Sequence, residues 1–175
     1  MRAVFLDRDG TINVGIPRIQ RVDSVEKVEL LPKVIEGLSL LTTLEYAVFF
    51  VTNQAGIAEG LITRADFDMI NERTLELVAP SNIKILDTYV CPHSAQDNCD
   101  CLKPKPGMLL EAAKKYDIDL SESWMVGDRL SDVKTGINAG TKTILVLSGE
   151  PVESPEATYT APDLLDTIQF IAAHQ

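Results

Sequence analysis

The sequence alternates between short, continuously apolar runs and longer stretches whose apolar residues have helical spacing. The run Ala47–Val51 (AVFFV) is apolar throughout, which is typical of a strand covered on both faces. Strands that alternate with helices favour a parallel sheet with helices on both faces. The sequence therefore predicts an α/β fold of three layers around a central parallel sheet.

The predicted strands are Ala3–Leu6, Ala47–Val51, Ile83–Val90, Trp124–Val126 and Thr143–Leu147. The predicted helices are Leu31–Leu44, Thr63 to about Val78, Gly107–Tyr116, Ser131–Asn138, and Pro162 to about Ala172. Two long irregular stretches, Asn13–Glu29 and Cys91–Lys105, interrupt this pattern. Loops of that length in a compact domain are usually functional.

Length and charge restrict the class of protein. A chain of 175 residues predicts one domain, residues 1–175, and the net charge of −10 disfavours binding to nucleic acid or to an anionic membrane. Charged residues follow the N-terminal apolar run too early for a signal peptide, and no apolar run reaches the ~18 residues of a membrane span. We therefore expect a cytoplasmic monomer that binds a small molecule and has no nucleic-acid or membrane partner.

Polar residues follow the first predicted strand in the order Asp7, Arg8, Asp9, Gly10 and Thr11 (DRDGT). Ligands of open α/β sheets bind at the carboxyl ends of the strands, so this segment should border the binding crevice. One carboxylate there can attack phosphorus, and a second can donate and accept protons. The same residue types are common in turns, so a turn without chemistry stays open for this motif alone.

Two further segments carry candidates for binding a phosphoryl group. Thr52, Asn53 and Gln54 supply a hydroxyl and two amides, although a helix cap or an Asx-turn would use the same residues. Lys103 stands in the run KPKPG, whose prolines restrict the backbone. A fixed ammonium keeps nearby carboxylates ionised and attracts phosphate. Lys105 of the same run fits a solvated basic loop.

The fourth predicted strand continues into Gly127-Asp-Arg-Leu-Ser-Asp132. Mg²⁺ prefers hard oxygen ligands and takes only one or two carboxylates from many proteins. Asp7, the backbone carbonyl of Asp9, and Asp128 would suffice, with water and a substrate oxygen as the other ligands. The alternative is a helix N-terminus whose acidic residues complement the helix dipole.

A second candidate metal site combines all three cysteines of the chain with one of its two histidines, at Cys91, His93, Cys99 and Cys101. Four such ligands fit a tetrahedral, structural Zn²⁺ site, whereas the alternatives are coincidence or a reactive thiol. Zinc would order the loop at about residues 91–101. Lys103 follows the last ligand by two residues, so the metal would help to place it.

In this order, the motifs DRDGT, TN, Lys103 and GDRLSD resemble those of the haloacid-dehalogenase-like (HAD) superfamily of phosphohydrolases over nearly the whole chain. The resemblance implies a HAD-like Rossmannoid fold and a Mg²⁺-dependent phosphatase that forms an aspartyl-phosphate. Asp7 would be the nucleophile, and Asp9 the general acid and base. The other implied roles are stabilisation of the phosphoryl group by Thr52 and Lys103, Mg²⁺ binding by Asp128, and support of that site by Asp132.

The zinc loop narrows the resemblance to the subgroup of histidinol-phosphate phosphatases and D-glycero-D-manno-heptose 1,7-bisphosphate 7-phosphatases. The stretches FLDRDGTIN, VTNQAGIAEG, KPKPGML and MVGDRLSD look closer to the heptose branch. The sequence leaves no room for a large cap domain, so loops would bind the substrate, with Arg18, Asn53, Gln54 and Arg129 as candidates. The subgroup usually has an arginine before the motif lysine; Leu102 stands here and cannot bind a second phosphate.

Several functions therefore remain open. The favoured prediction is a heptose bisphosphate phosphatase, followed by a histidinol-phosphate phosphatase or another small sugar or metabolite phosphatase. A catalytically silent phosphate-binding module is a prediction of another class, which the complete set of Asp7, Asp9, Lys103 and Asp128 argues against. A polynucleotide 3′-phosphatase is disfavoured because the chain is acidic and has no basic stripe.

Overall fold

The computed structural model of the chain describes residues 1–15, 22–147 and 154–175. The described residues contain six strands: β1 (Ala3–Leu6), β2 (Ala47–Asn53), β3 (Ile85–Cys91), β4 (Trp124–Gly127), β5 (Lys142–Val146) and β6 (Tyr159–Ala161). They also contain five helices: α1 (Val34–Leu41), α2 (Arg64–Val78), α3 (Gly107–Tyr116), α4 (Leu130–Ala139) and α5 (Leu164–Ala173). No helix among them is long and apolar enough to cross a membrane.

All six strands are parallel and form one sheet in the order β3-β2-β1-β4-β5-β6. Alternate residues of β1 enter two different cores. Val4 and Leu6 pack in the core that α1 and α5 cover, whereas Ala3 and Phe5 pack in the core beneath α3. Both faces of the strand are buried, which explains why its sequence is apolar without alternation. The predicted three-layer α/β fold is confirmed, and no large cap domain occurs among the described residues.

Helix α1 is shorter than the predicted Leu31–Leu44. Lys33 has a left-handed backbone with φ of 64°, so the helix begins only at the next residue. At the other end, the hydroxyls of Thr42 and Thr43 donate to the carbonyls of Ser39 and Leu40. Threonine hydroxyls that bond the preceding turn in this way compete with helix continuation.

Other boundaries differ by one or two residues, and one strand was not predicted. Strand β3 lies between Ile85 and Cys91 rather than at 83–90, and α5 begins two residues after Pro162, where Asp163 accepts from the amide of Asp166. Strand β6 has only three residues at the sheet edge, and Thr160 in its middle is exposed. Such a short edge strand buries too little apolar surface to give a periodic signal.

The strand order reverses at β1, whose neighbours in the sheet are β2 and β4. In doubly wound sheets, the crevice for ligands forms where the strand order reverses, at the carboxyl ends of the strands. The segments after β1, β2 and β4 are DRDGT, Gln54 onward, and the residues from Asp128 onward. The fold therefore brings three of the predicted motifs to one edge of the sheet.

Candidate active site

A small polar cavity opens at this edge of the sheet. The amide of Asp7 donates to the carbonyl of Val126 over 2.9 Å, which ties the end of β1 to β4. Asp7 and Asp9 are each 5% exposed, so both carboxylates are largely removed from solvent. The residues that line the cavity are Asp7, Asp9, Thr52, Asn53, Lys103, Arg129 and Ser131.

Lys103 provides the positive charge of the site. Its ammonium lies 2.6 Å from Oδ1 of Asp7 and 2.6 Å from Oδ1 of Asp132, and it donates to the carbonyl of Val51 over 3.2 Å. Burial acts to lower the pKa of Lys103, but the charges of Asp132 and Asp7 outweigh it and raise that pKa above its ordinary value. The lysine therefore stays charged in a site that excludes most water.

Three carboxylates meet beside this lysine, at Asp7, Asp128 and Asp132, and we refer to them as the carboxylate cluster. Each offers one oxygen, and these oxygens lie within 4.8 Å of one another. Oδ1 of Asp128 is buried and has no hydrogen-bond partner among the described residues. A buried carboxylate oxygen without a donor is costly unless a cation binds it, so the cluster fits a divalent metal ion with oxygen ligands.

Two glycines make room for the carboxylate cluster. Gly10 has a φ of 99°, and a Cβ at this position would overlap the carboxylate of Asp128. A Cβ at Gly127 would overlap the side chain of Asp132. Any other residue at these two positions would displace one of the carboxylates, which explains why both motifs contain a glycine.

The carboxylates of the cluster lie so close together that their negative charges repel one another. Burial raises the pKa of Asp7 well above its ordinary value; Lys103 opposes this shift, and the charges of Asp132 and Asp128 add to it. Burial and the charge of Asp132 also raise the pKa of Asp128. Three acidic groups share one lysine, so the cluster retains an excess of negative charge that a bound cation would neutralise.

Asp9 has a different environment. Its two oxygens accept from the guanidinium of Arg8, over 2.9 Å from Nε to Oδ1 and 2.9 Å from Nη2 to Oδ2. The amide nitrogen of Gln54 donates to Oδ2 of Asp9 over 2.9 Å and to Oγ1 of Thr52 over 2.9 Å. Thr52 thus receives a hydrogen bond on its oxygen, and its own hydroxyl hydrogen can point to a ligand.

Asn53 makes both of its side-chain hydrogen bonds with the backbone of Lys103. Its Oδ1 accepts from the Lys103 amide over 3.1 Å, and its Nδ2 donates to the Lys103 carbonyl over 3.2 Å. Asn53 was predicted to bind substrate. In the structure Asn53 borders the cavity and also holds the lysine backbone, so its contact with substrate stays a prediction.

The four predicted zinc ligands form a second cluster, with Cys91 at the end of β3 and the other three in the loop that follows. The sulfurs of the three cysteines are 3.0 to 3.6 Å apart, and Nδ1 of His93 lies 3.2 Å from Cys101 and 3.8 Å from Cys91. A tetrahedral zinc ion with bonds of ~2.3 Å to sulfur and ~2.0 Å to nitrogen spaces its ligands roughly 3.6–3.8 Å apart. Most of the observed separations are shorter than this spacing, and the type, number and convergence of the four ligand atoms fit zinc.

Backbone amides and one lysine support this loop. Burial acts against ionisation of Cys99, but hydrogen bonds from the Cys101 thiol and the Leu102 amide lower the pKa of Cys99 to about 7. Lys105 was predicted to fit a solvated basic loop. The residue is partly exposed, and its ammonium also donates to the carbonyl of Cys99 over 2.6 Å.

Comparison with known proteins agrees with this geometry. Residues 100–168 match the HAD-hydrolase-like family model. The chain is 39% identical to the D-glycero-beta-D-manno-heptose-1,7-bisphosphate 7-phosphatase of Escherichia coli, over 95% of this chain and 89% of that protein. It is 36% identical to the Helicobacter pylori phosphatase of the same name, over 97% of each.

The chain belongs to the HAD-like phosphatases. Among solved structures, it superimposes on the D,D-heptose 1,7-bisphosphate phosphatase of B. bronchiseptica with a TM-score of 0.91, at 30% identity and over 100% of both chains. That protein was crystallised with magnesium and phosphate. The predicted resemblance and the prediction of a phosphatase are thereby confirmed.

The remaining candidate site residues of this HAD-like phosphatase differ in whether they border the cavity. Arg129 borders the cavity, and its predicted contact with substrate stays a prediction, whereas Arg18 lies outside the described residues. Ser131 borders the cavity and was not predicted, and Arg8 was named in its motif without a role. The sequence could have marked Arg8 as a residue of the site, because it is a charged residue between two motif carboxylates and close to a fully apolar strand.

Proposed function

We propose that this enzyme removes the 7-phosphate from D-glycero-beta-D-manno-heptose 1,7-bisphosphate through an aspartyl-phosphate on Asp7. The substrate assignment rests on one observation, the likeness over nearly the full length to several phosphatases of that name. The reaction rests on the buried site in which Lys103 lies 2.6 Å from Asp7. We also propose that the enzyme is a monomer in the cytoplasm, as the sequence predicted.

The proposed reaction has two steps, transfer of the phosphoryl group to Asp7 and its transfer from Asp7 to water. An oxygen of Asp7 attacks phosphorus while the bond to the sugar oxygen breaks, and the carboxyl of Asp9 gives its proton to that oxygen. Water then attacks the aspartyl-phosphate, Asp9 takes its proton, and the bond from phosphorus to Asp7 breaks. Lys103 and the hydroxyl of Thr52 neutralise and orient the phosphoryl oxygens during both steps.

Asp7 and Asp128 would hold Mg²⁺, with Asp132 close behind them. Asp132 uses one oxygen for Lys103 and the other to accept from the Arg129 amide over 3.0 Å, so its main role is to fix the lysine and the start of α4. When bound, Mg²⁺ neutralises phosphoryl oxygens and aligns the substrate with the nucleophile. Zn²⁺ in the loop of Cys91, His93, Cys99 and Cys101 would have a structural role.

Recognition of the second phosphate must differ from the pattern of the subgroup. Leu102 is half-buried and packs on the apolar core beneath the zinc loop, so it contributes to packing and offers no charge. Arg129 is the described cation on the cavity wall besides Lys103. We therefore assign the second phosphate to Arg129, together with Arg18 in the segment outside the described residues.

A panel of phosphate esters tests the substrate assignment. The panel contains the heptose bisphosphate, the heptose 1-phosphate and 7-phosphate, histidinol phosphate and a hexose 6-phosphate, each assayed for phosphate release with Mg²⁺. We expect kcat/KM for the bisphosphate to exceed the others by about 100-fold or more, since contacts to a second phosphate act only on that ester. Activity confined to histidinol phosphate would overturn the heptose assignment and leave the phosphatase assignment intact.

Mg²⁺ is expected to raise the melting temperature, and more so at about pH 7.5 than at about pH 5.5. Asp7 and Asp128 have pKa values raised in the folded protein, so ionisation costs folding free energy as the pH rises from their unfolded pKa values through the folded ones. A cation removes that cost, and protons compete with it at low pH. Thermal unfolding with and without Mg²⁺ measures the effect.

The matched variants for this measurement are Asp128→Asn and Asp68→Asn. Asp128→Asn removes one ligand and is expected to abolish most of the Mg²⁺-dependent shift. Asp68→Asn removes an exposed carboxylate that pairs with Arg64 on α2, so the shift should stay as in the wild type. An equal shift in both variants would place the Mg²⁺ elsewhere.

A further inference from the structure

Arg8 is a buried charge to which the reaction so far gives no role. Its side chain is 0% exposed and directly follows the nucleophile in the sequence. Arg8 lies at a bend of the chain, two residues after β1 ends at Leu6. Here the guanidinium turns back and binds both oxygens of Asp9, each over 2.9 Å. This bidentate contact joins two neighbouring residues of one motif.

Contacts from other elements keep the guanidinium in this position. Its central carbon lies 5.0 Å from the centre of the Phe67 ring on α2, which covers one face of the group. Nη1 is buried and has no hydrogen-bond partner among the described residues. A buried guanidinium remains charged, so its two bonds to Asp9 are the main compensation for its burial.

Gln54 completes the environment of Asp9. Its amide nitrogen donates to Oδ2 of Asp9 and, at the same distance of 2.9 Å, to the Thr52 hydroxyl that borders the cavity. Oδ2 therefore accepts two hydrogen bonds from the described residues, and Oδ1 accepts one, from Arg8. A carboxylate oxygen has two lone pairs, so both positions on Oδ2 are filled.

We propose that Arg8, with Gln54, is a positioning residue that fixes the Asp9 carboxyl so that its proton is exchanged at Oδ1. This inference rests on the proposed function, in which Asp9 is the acid and base. Oδ1 has the remaining lone pair, so its proton goes to the sugar oxygen as the bond from phosphorus to that oxygen breaks. The proton of the attacking water returns to Oδ1 as the bond from phosphorus to Asp7 breaks. Arg8 is not among the residues that line the cavity, so it acts on the reaction only through its bonds to the Asp9 carboxyl.

The dependence on the leaving group distinguishes positioning of an acid from a general structural role. A sugar alkoxide needs a proton to leave, whereas p-nitrophenolate is stable at neutral pH and leaves without one. Arg8→Met is expected to lower kcat/KM about 100-fold for the best alkyl phosphate of the panel, and less than about 5-fold for p-nitrophenyl phosphate. Equal losses on the two substrates, or no loss, would overturn the inference.

Three further variants secure this test. Arg8→Lys keeps the charge without the bidentate geometry and should restore part of the lost alkyl-phosphate activity. Arg64→Met removes the other guanidinium above Phe67, 5.6 Å from the ring centre, and should leave both activities as in the wild type. Gln54→Leu removes a neutral donor to Asp9 and should show the same leaving-group dependence at about 10-fold, which keeps the inference testable if Arg8→Met does not fold.

Asp9→Asn separates this inference from the proposed function. If wild-type protein hydrolyses alkyl phosphates and Asp9→Asn does not, Asp9 has the proposed role and the Arg8 variants test the positioning alone. If Asp9→Asn retains alkyl-phosphate hydrolysis, the role of Asp9 in the proposed function is wrong, and the inference about Arg8 falls with it.

Discussion

Asp7→Asn is expected to lower the rate of phosphate release by about 10⁴-fold or more, without loss of the fold. An amide is a far weaker nucleophile than a carboxylate, so no aspartyl-phosphate forms. Lys103 keeps its ion pair with Asp132, and the cluster loses one of three crowded carboxylates whose pKa values burial had raised. The melting temperature without Mg²⁺ should therefore equal or exceed that of the wild type.

Phosphate release and trapping of the phosphoenzyme in acid test this expectation. Wild-type protein should yield an acid-stable protein phosphate during turnover, and Asp7→Asn should yield none. Asp68→Asn serves as the control, since this aspartate is 58% exposed on α2 and far in sequence from the motifs. Hydrolysis by Asp7→Asn at a rate near that of the wild type would refute the nucleophile and the covalent intermediate together.

Much of this arrangement could be predicted from the sequence because the strands are read from local, continuous apolar runs. Once β1, β2 and β4 are parallel strands of one sheet, the residues after them must lie at the same edge. Asp7, Gln54 and Asp128 follow from that rule alone. The clustering of Cys91, His93, Cys99 and Cys101 was equally predictable, since four candidate ligands within eleven positions need no knowledge of the tertiary fold.

The roles of Arg8 and Asn53 could not be predicted in the same way. Asn53 binds the backbone of Lys103, fifty residues away, and its amide looks identical in sequence to one that binds a substrate. Arg8 packs on the Phe67 ring of α2, and the Asp9 carboxylate that it binds also accepts from Gln54, which follows β2. Such contacts depend on packing between elements, and the local pattern does not contain them.

Loss of the zinc site is expected to have the second largest effect, because the loop and the catalytic lysine share their supports. Cys91 ends β3 and lies in register with Asn53 of β2, and its carbonyl accepts from the amide of Gln54 over 2.8 Å. Asn53 in turn holds the backbone of Lys103. If the metal ligands become disordered, Lys103 is therefore displaced in two ways, through the loop that precedes it and through Asn53 of β2.

Cys99→Ser tests this coupling, since Cys99 is half-buried and lies in the loop rather than in the sheet. We expect loss of the bound zinc, a melting temperature lower by about 10 °C or more, and an activity reduced by about 10-fold or more. Metal analysis, thermal unfolding and phosphate release measure the three effects. Incubation of wild-type protein with a chelator should reproduce them, and added Zn²⁺ should reverse them only in the wild type.

Ser94→Ala is the matched control within the same loop. Its hydroxyl and amide bond Asp97 in a short exposed turn, and it is not a metal ligand. Loss of this local contact should cost about 1 kcal/mol and leave the zinc content unchanged. If Cys99→Ser lost its zinc yet kept full activity, Asn53 alone would be sufficient to hold Lys103. The metal would then stabilise the loop without contributing to the placement of the catalytic charge.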